Sequence, residues 1–332
     1  MREDIPEKVA HGDRIIRLRE ITGKTLLDFG ANLNPFPPEI EWEPDTSLLA
    51  SYPDDGYHRL KETIARHVAR DIEEICVGNG SVEIIRTFCY AALSRGNGVY
   101  VPHPTFGEYL FSARLAGAGE TAHPQDAKVR FLCNPNNPTG TLLSREEVVE
   151  MLREAERLDQ ILCVDEAFID LSDPRQSVID ISSPHLFVLR SLTKSFAVPG
   201  LRVGFGCGEK NLVAAIESIR PPWTVNSFAE DFAVRCLAQT DDLEQSRNAI
   251  AAEREWLANS FDELGIFHRP SATNFILLDL DEPAADLAER LLARGVVVRD
   301  CASFGLPQSV RVAVRTHEEN RHLIGALEAC LH

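Results

Sequence analysis

Positive charge is scarce in this sequence: 34 Lys and Arg stand against 51 Asp and Glu, a formal net charge of -17. Nucleic-acid phosphates are bound by clustered Lys and Arg that release counterions, so the balance predicts no nucleic-acid partner. Long apolar runs are missing as well. None approaches the ~18 residues that a membrane span needs, and the opening MREDIPEKVAHGD has no apolar stretch of a secretion signal. The expectation is a soluble, cytoplasmic protein with no membrane partner. The eight cysteines, at 76, 89, 133, 163, 207, 236, 301 and 330, never fall in the close pairs of a zinc or redox motif. Reduced, buried thiols and no metal site follow from that spacing. No internal repeat is present.

What is present is ordinary globular material in quantity: 332 residues, 44% hydrophobic and 26% charged, enough for one large domain and a smaller companion. From about residue 60 to 220, short apolar runs (EEICVG, GVYVP, VRFLCNP, QILCVDEAF, HLFVLRSLT, RVGFGCG) alternate with helical patterns such as SVEIIRTFCYAAL and SREEVVEMLREAERL. This alternation predicts an α/β fold, a mostly parallel sheet between helices. After Trp223 the pattern changes to long helical stretches near 227–239 and 241–265, then NFILLDL, a helix at 283–294, VVVRD, SVRVAVR and a terminal helix. That order reads as a smaller α+β domain. The expected division is an arm and part of the small domain over 1–45, a large domain over 46–240, and the small domain over 241–332. The proline-rich PFPPEIEWEP makes the first 45 residues look extended. Ser144 with Glu147, and Thr316 with Glu319, have the spacing of capping boxes.

In a parallel sheet, chemistry gathers where strands end. Asn137 precedes Pro138 in CNPNNPTG, an irregular turn after a strand, and Asp165 closes the apolar run of VDEAF, where a carboxylate needs a partner. Lys194 follows HLFVLR in SLTKSFAVPGLRVG, with Arg202 eight residues on. GNGSVE joins a strand to a helix, so its backbone N–H groups and Ser81 suit a phosphate. Each feature alone is weak: a loop lysine is usually solvated and a strand-end aspartate is often a helix cap. Together they suit pyridoxal phosphate, which needs a lysine for its aldehyde, a carboxylate for its ring nitrogen and donors for its phosphate. The glycine run GFGCG lacks dinucleotide spacing and reads as a strand near the cofactor floor.

SLTKSFAVPGLRVGF, CNPNNPTG, VDEAF, VGNGS and YPDDGYHRLK closely resemble motifs of fold-type I pyridoxal-phosphate enzymes, in the branch that holds histidinol-phosphate aminotransferases. The resemblance runs over nearly the whole chain. It implies that Lys194 carries the cofactor covalently, Asp165 pairs with its pyridine nitrogen and Asn137 bonds its ring oxygen. Gly80, Ser81, Ser191, Thr193 and Arg202 would hold the phosphate, and Phe106 of HPTFGEY would stack on the ring. Tyr52 would reach the phosphate of a neighbouring subunit, which implies a homodimer with its active site at the interface.

One position departs from that pattern. Aminotransferases of this branch usually carry Tyr three residues after the aspartate; here Phe168 removes one hydrogen bond, about 1 kcal/mol net. FGANLNPFPP, PPWTVN, VVVRDCASF and RVAVRTHEEN resemble the related threonine-phosphate decarboxylases of cobalamin biosynthesis more than the aminotransferases. By that resemblance Arg311 would bind a substrate carboxylate, and Arg299, His11 and the backbone at Gly12 a substrate phosphate, with Asn32 lining the site. The substrate implied is a small phosphorylated amino acid, O-phospho-L-threonine, with histidinol phosphate and transamination as the alternative. A third reading, a cofactor-sensing regulator fused to a DNA-binding head, conflicts with the acidic balance. Trp223 and Asn226 fit either packing or dimer contacts.

Overall fold

Apolar runs too short for helices form strands, and alternation along each strand then decides which face a side chain covers. In the computed structural model, which describes residues 6–9, 15–23 and 25–331, the strands are β1 (Leu27–Asp28), β2 (Ile75–Gly78), β3 (Gly98–Tyr100), β4 (Gly119–Glu120), β5 (Val129–Cys133), β6 (Ile161–Asp165), β7 (Leu186–Ser191), β8 (Gly204–Cys207), β9 (Phe275–Asp279), β10 (Val296–Val297), β11 (Arg299–Asp300) and β12 (Ser309–Ala313). Seven form one sheet in the order β2-β8-β7-β6-β5-β3-β4. From β7 to β4 every pair is parallel, whereas β8 is antiparallel to both β7 and β2. Between β7 and β8 the only helix is Leu192–Ser195, too little for the crossover a parallel neighbour requires.

Both faces of this sheet are buried. Phe131, Cys163, Phe187 and Leu189 point into one apolar cluster with Ile85, Phe88 and Val213, beneath helices Ser81–Ala92 and Lys210–Ile219. Leu132, Leu162, Val164, Leu186 and Val188 point into another with Leu60, Ile64, Val148 and Leu152, from helices His58–Val68 and Arg145–Arg157. This explains why these strands read as continuous apolar runs rather than alternating ones. Phe187, stacked on Phe88 with ring centroids 4.7 Å apart, is fully buried; truncating it to Ala would cost about 3–5 kcal/mol.

A three-stranded antiparallel sheet, β11-β12-β9, and the parallel pair β1-β10 make up the remaining strands. Helices Ser227–Leu237, Leu243–Glu263, Ala284–Ala293 and His317–Leu331 accompany them. The first 45 residues are more than an extended arm. Ile15–Thr22 is helical, and Leu26 and Phe29 are buried because β1 joins β10 and the Phe29 carbonyl accepts from Ala313 N at 2.8 Å. The Ser144–Glu147 capping box forms with both bonds. At Thr316 only half of a box forms among the described residues: Glu319 Oε2 accepts from Thr316 N at 3.3 Å while Oε1 accepts from Arg315. No helix among the described residues is long and apolar enough to cross a membrane. All eight cysteines are free thiols.

Candidate active site

β5 and β6 end in step, Cys133 opposite Asp165, and β7 runs only two residues past Leu189, which lies opposite Asp165, so the residues that follow the three strands emerge from one edge of the sheet. Asp165 is the last residue of β6 and only 4% exposed. Its Oδ2 accepts from the Tyr109 hydroxyl at 2.7 Å and its Oδ1 from Ala167 N at 2.9 Å. Burial raises its pKa, and these two bonds oppose the rise. Lys194 stands in the short helix after β7, where Nζ donates to Asn32 Oδ1 at 3.2 Å and lies 5.9 Å from the centre of the Phe168 ring. Burial, then the guanidinium groups of Arg311 and Arg202, lower its pKa to about 8, with Asp165 opposing. An amine so placed is about one-tenth neutral at pH 7, a far larger share than an ordinary lysine with a pKa near 10.5 presents to an electrophile.

Gly80 has φ +76° and opens helix Ser81–Ala92; a Cβ there would lie 2.4 Å from the Arg202 guanidinium. A Cβ on Gly204 would lie 2.9 Å from Ser81 N. These two glycines let the helix N-terminus, β8 and Arg202 close together, as a phosphate cradle requires. The run GFGCG is the strand expected of it, beside that cradle. Ser191 pairs with Gly204 and is buried, as is Thr193 two residues on, whose Oγ1 has no hydrogen-bond partner among the described residues. Arg202 itself has φ +60° and donates to Pro199 O at 3.2 Å.

Arg311 on β12 lies directly opposite Arg299 on β11. One Arg311 nitrogen donates to Asn137 Oδ1 and another to Gly30 O at 2.8 Å, with the guanidinium 5.0 Å from the centre of the Phe275 ring. Burial lowers its pKa to about 10, and its Nε, like Asn32 Nδ2, is buried without a partner among the described residues. Arg299 donates to Ser303 Oγ at 2.7 Å and leans on Phe304. Asn137, Asp165, Lys194, Asn32 and Arg311 are thus linked through direct contacts or the field at the Lys194 amine. Phe106 meets Tyr109 edge-on at 5.6 Å, and a Cβ on Gly107 would touch Val9, so residues 6–9 lie beside this turn.

Not every expected residue gathers here. Tyr52 is 79% exposed and packs at 4.6 Å against Trp223 on the surface. Asn226 caps helix Ser227–Leu237, accepting from Ala229 N at 2.9 Å, a structural duty. His11 and Gly12 lie outside the described residues. Other residues at the site carried no expectation. Tyr109 is one; it follows Phe106 by three residues in HPTFGEY, a helical spacing that could have marked it. Arg190, a charge within an apolar strand, is another: buried, it donates to Glu166 Oε2 at 2.9 Å, to Asp170 and to Ser177 Oγ at 2.9 Å.

The residues fit pyridoxal phosphate. A glycine-lined helix start beside Arg202, and a buried Thr193 hydroxyl unpartnered among the described residues, suit its phosphate, a buried carboxylate its ring nitrogen, and an amine titrating near 8 its aldehyde.

Comparison with known proteins agrees. The profile of the family aminotransferase class I and II matches residues 24–121 and 118–327. A histidinol-phosphate aminotransferase of Symbiobacterium thermophilum is 32% identical over 94% of this chain and 92% of its own. A protein of Caldanaerobacter subterraneus subsp. tengcongensis, provisionally named threonine-phosphate decarboxylase, is 36% identical over 90% of this chain and 88% of its own. Among solved structures, the histidinol-phosphate aminotransferase of Clostridium acetobutylicum is 29% identical, with a TM-score of 0.80, over 92% of this chain and 99% of its own. The fold is therefore fold type I and the cofactor pyridoxal 5'-phosphate. A family match along nearly the whole chain, with relatives above 30% identity over nine-tenths of it, leads to one conclusion: this protein belongs to the aminotransferase class I and II family.

Proposed function

We propose that the chain decarboxylates O-phospho-L-threonine to (R)-1-amino-2-propanol O-phosphate, a step of cobalamin biosynthesis. The observation that carries this reading is the register of Arg299 opposite Arg311, two arginines on neighbouring strands of an otherwise acidic protein, the charge of one felt by the other. A substrate with both a carboxylate and a phosphate is the ligand such a pair suits. Arg311 binds the carboxylate; Arg299, with His11 and the Gly12 backbone, binds the phosphate, and Asn32 lines the site.

Lys194 carries the cofactor, Asp165 pairs with its ring nitrogen, and Asn137 bonds its ring oxygen. Gly80, Ser81, Ser191, Thr193 and Arg202 hold its phosphate, with Phe106 on its ring. When bound, pyridoxal phosphate supplies an electron sink conjugated to the substrate Cα. Arg299 and Arg311 would orient the substrate at Cα, and that orientation would select which of its bonds breaks. Arg311 would hold the carboxylate where it can leave as carbon dioxide, and Lys194 Nζ would then deliver to Cα the proton that replaces it. Phe168, packed edge-on against Phe275 at 5.2 Å, supplies no hydroxyl to the cofactor's ring oxygen.

The identity to histidinol-phosphate aminotransferases favours a second reading, transamination of histidinol phosphate with 2-oxoglutarate. Incubation with phosphothreonine separates the two: carbon dioxide and aminopropanol phosphate support decarboxylation. Glutamate formed from histidinol phosphate and 2-oxoglutarate, without carbon dioxide from phosphothreonine, overturns it. In this reading the working form is a cytoplasmic homodimer in which the outward-facing Tyr52 serves the partner's site, a division of labour that its exposure beside Trp223 favours. The eight free thiols suit a reducing compartment.

A further inference from the structure

The segment from Asn32 to Asn34 grips Lys194 at both ends. Asn32 Oδ1 takes the amine at 3.2 Å, and two residues later Asn34 N donates to the Lys194 carbonyl at 3.0 Å. The Asn34 side chain then reaches the next residue: Nδ2 donates to Ser195 O at 2.8 Å and to Ser246 Oγ at 3.0 Å, on helix Leu243–Glu263. Its Oδ1 accepts from Phe36 N at 2.9 Å, and Ser246 Oγ donates to Phe36 O at 2.6 Å. Asn34 is 3% exposed, so both ends of its amide are satisfied inside the protein. A helix of four residues leaves its last carbonyls without intrahelical donors; Asn34 supplies donors to two of them. On the other flank, Ser195 Oγ donates to Asp170 Oδ2 at 3.2 Å, a carboxylate bound in turn by Arg190.

We propose that Asn34 is a positioning residue for Lys194: by clipping the 194–195 turn to Ser246 it fixes where the amine stands, and so how fast that amine captures the cofactor's aldehyde. In that capture the Nζ lone pair forms the new bond to the aldehyde carbon and the oxygen departs as water, so the nitrogen must be neutral and correctly aimed. The charged groups that bear on it are Arg311, Arg202 and Asp165, with the Phe168 ring beside them. A lysine released from the clip swings toward water and regains its proton.

The inference rests on Lys194 as the cofactor's carrier. The test measures the second-order rate of pyridoxal phosphate capture by the cofactor-free full chain, followed by absorbance from pH 6.5 to 9.5, with thermal unfolding in parallel. Asn34→Ala is expected to slow capture about tenfold at pH 8 and move the pH midpoint upward. Asn34→Asp, which keeps the shape but loses the Nδ2 donor, slows it comparably, and Ser246→Ala slows it less. Variants that melt lower yet capture at the parent's rate and midpoint overturn the proposal. Should Asn34→Ala fail to fold, Ser246→Ala decides, and a parental rate in that variant overturns it. A parent protein that never captures the cofactor instead overturns the proposed function itself.

Discussion

Tyr109 donates its hydroxyl to Asp165 across 2.7 Å, with both residues buried. Burial drives the Asp165 carboxyl toward its neutral form, and this bond is the largest influence opposing it. Without it, less of the carboxylate survives to pair with a protonated ring nitrogen. Tyr109→Phe should raise the dissociation constant for pyridoxal phosphate about tenfold, the worth of one such bond, and more at pH 6 than at pH 8. Absorbance titration measures it, and a constant unchanged across that range contradicts the assignment.

Lys194 makes the cofactor-free protein's stability depend on pH. Its folded pKa of about 8 lies below the ordinary 10.5, so between those values the unfolded chain binds more protons, and stability rises with pH across that window. Below pH 8 the buried charge costs about 3 kcal/mol. Lys194→Met should therefore melt several degrees higher than the parent at pH 7, with the gap closing by pH 10. Calorimetry of the two cofactor-free proteins checks both the sign and the window.

At Gly80 two constraints coincide, φ +76° and the Arg202 guanidinium 2.4 Å from any Cβ. Gly80→Ala strains the backbone by about 1–3 kcal/mol and displaces Arg202. Cofactor affinity should fall at least tenfold, with a change in melting temperature no larger than that strain. Equilibrium dialysis against pyridoxal phosphate measures it; parental affinity would remove Gly80 and Arg202 from the cradle.

Local signals made the strand-end chemistry legible. Lys194, Asp165 and Asn137 each follow an apolar run in sequence, and GNGS marks its own turn. The partners of Tyr109 and Asn34 were not legible, because they lie far along the chain. Tyr109 meets a carboxylate 56 positions away, and Asn34 a carbonyl 161 positions away. Such pairings exist only once the sheet has formed. The arm misled for a local reason: the prolines of PFPPEIEWEP mask a short helix and a strand that precede them. Glu319 was read as a capping partner alone, but Arg315, four residues earlier, claims half of its carboxylate.

Under the proposed reaction, Phe168 would bear on which bond breaks. Its ring faces the Lys194 amine, so Phe168→Tyr would add a hydroxyl that could reach the cofactor's ring oxygen. The expected result is a higher ratio of transamination to decarboxylation, read as pyridoxamine phosphate formed per carbon dioxide released with phosphothreonine. A ratio equal to the parent's would mean that the arginines alone select the bond.

The central claim is that the amine of Lys194 carries the cofactor. The purified chain is mixed with pyridoxal phosphate, reduced with borohydride, digested and its peptides weighed. The account predicts one phosphopyridoxyl group, on Lys194, and none on Lys194→Met; a label on another lysine, or no label at all, would contradict it.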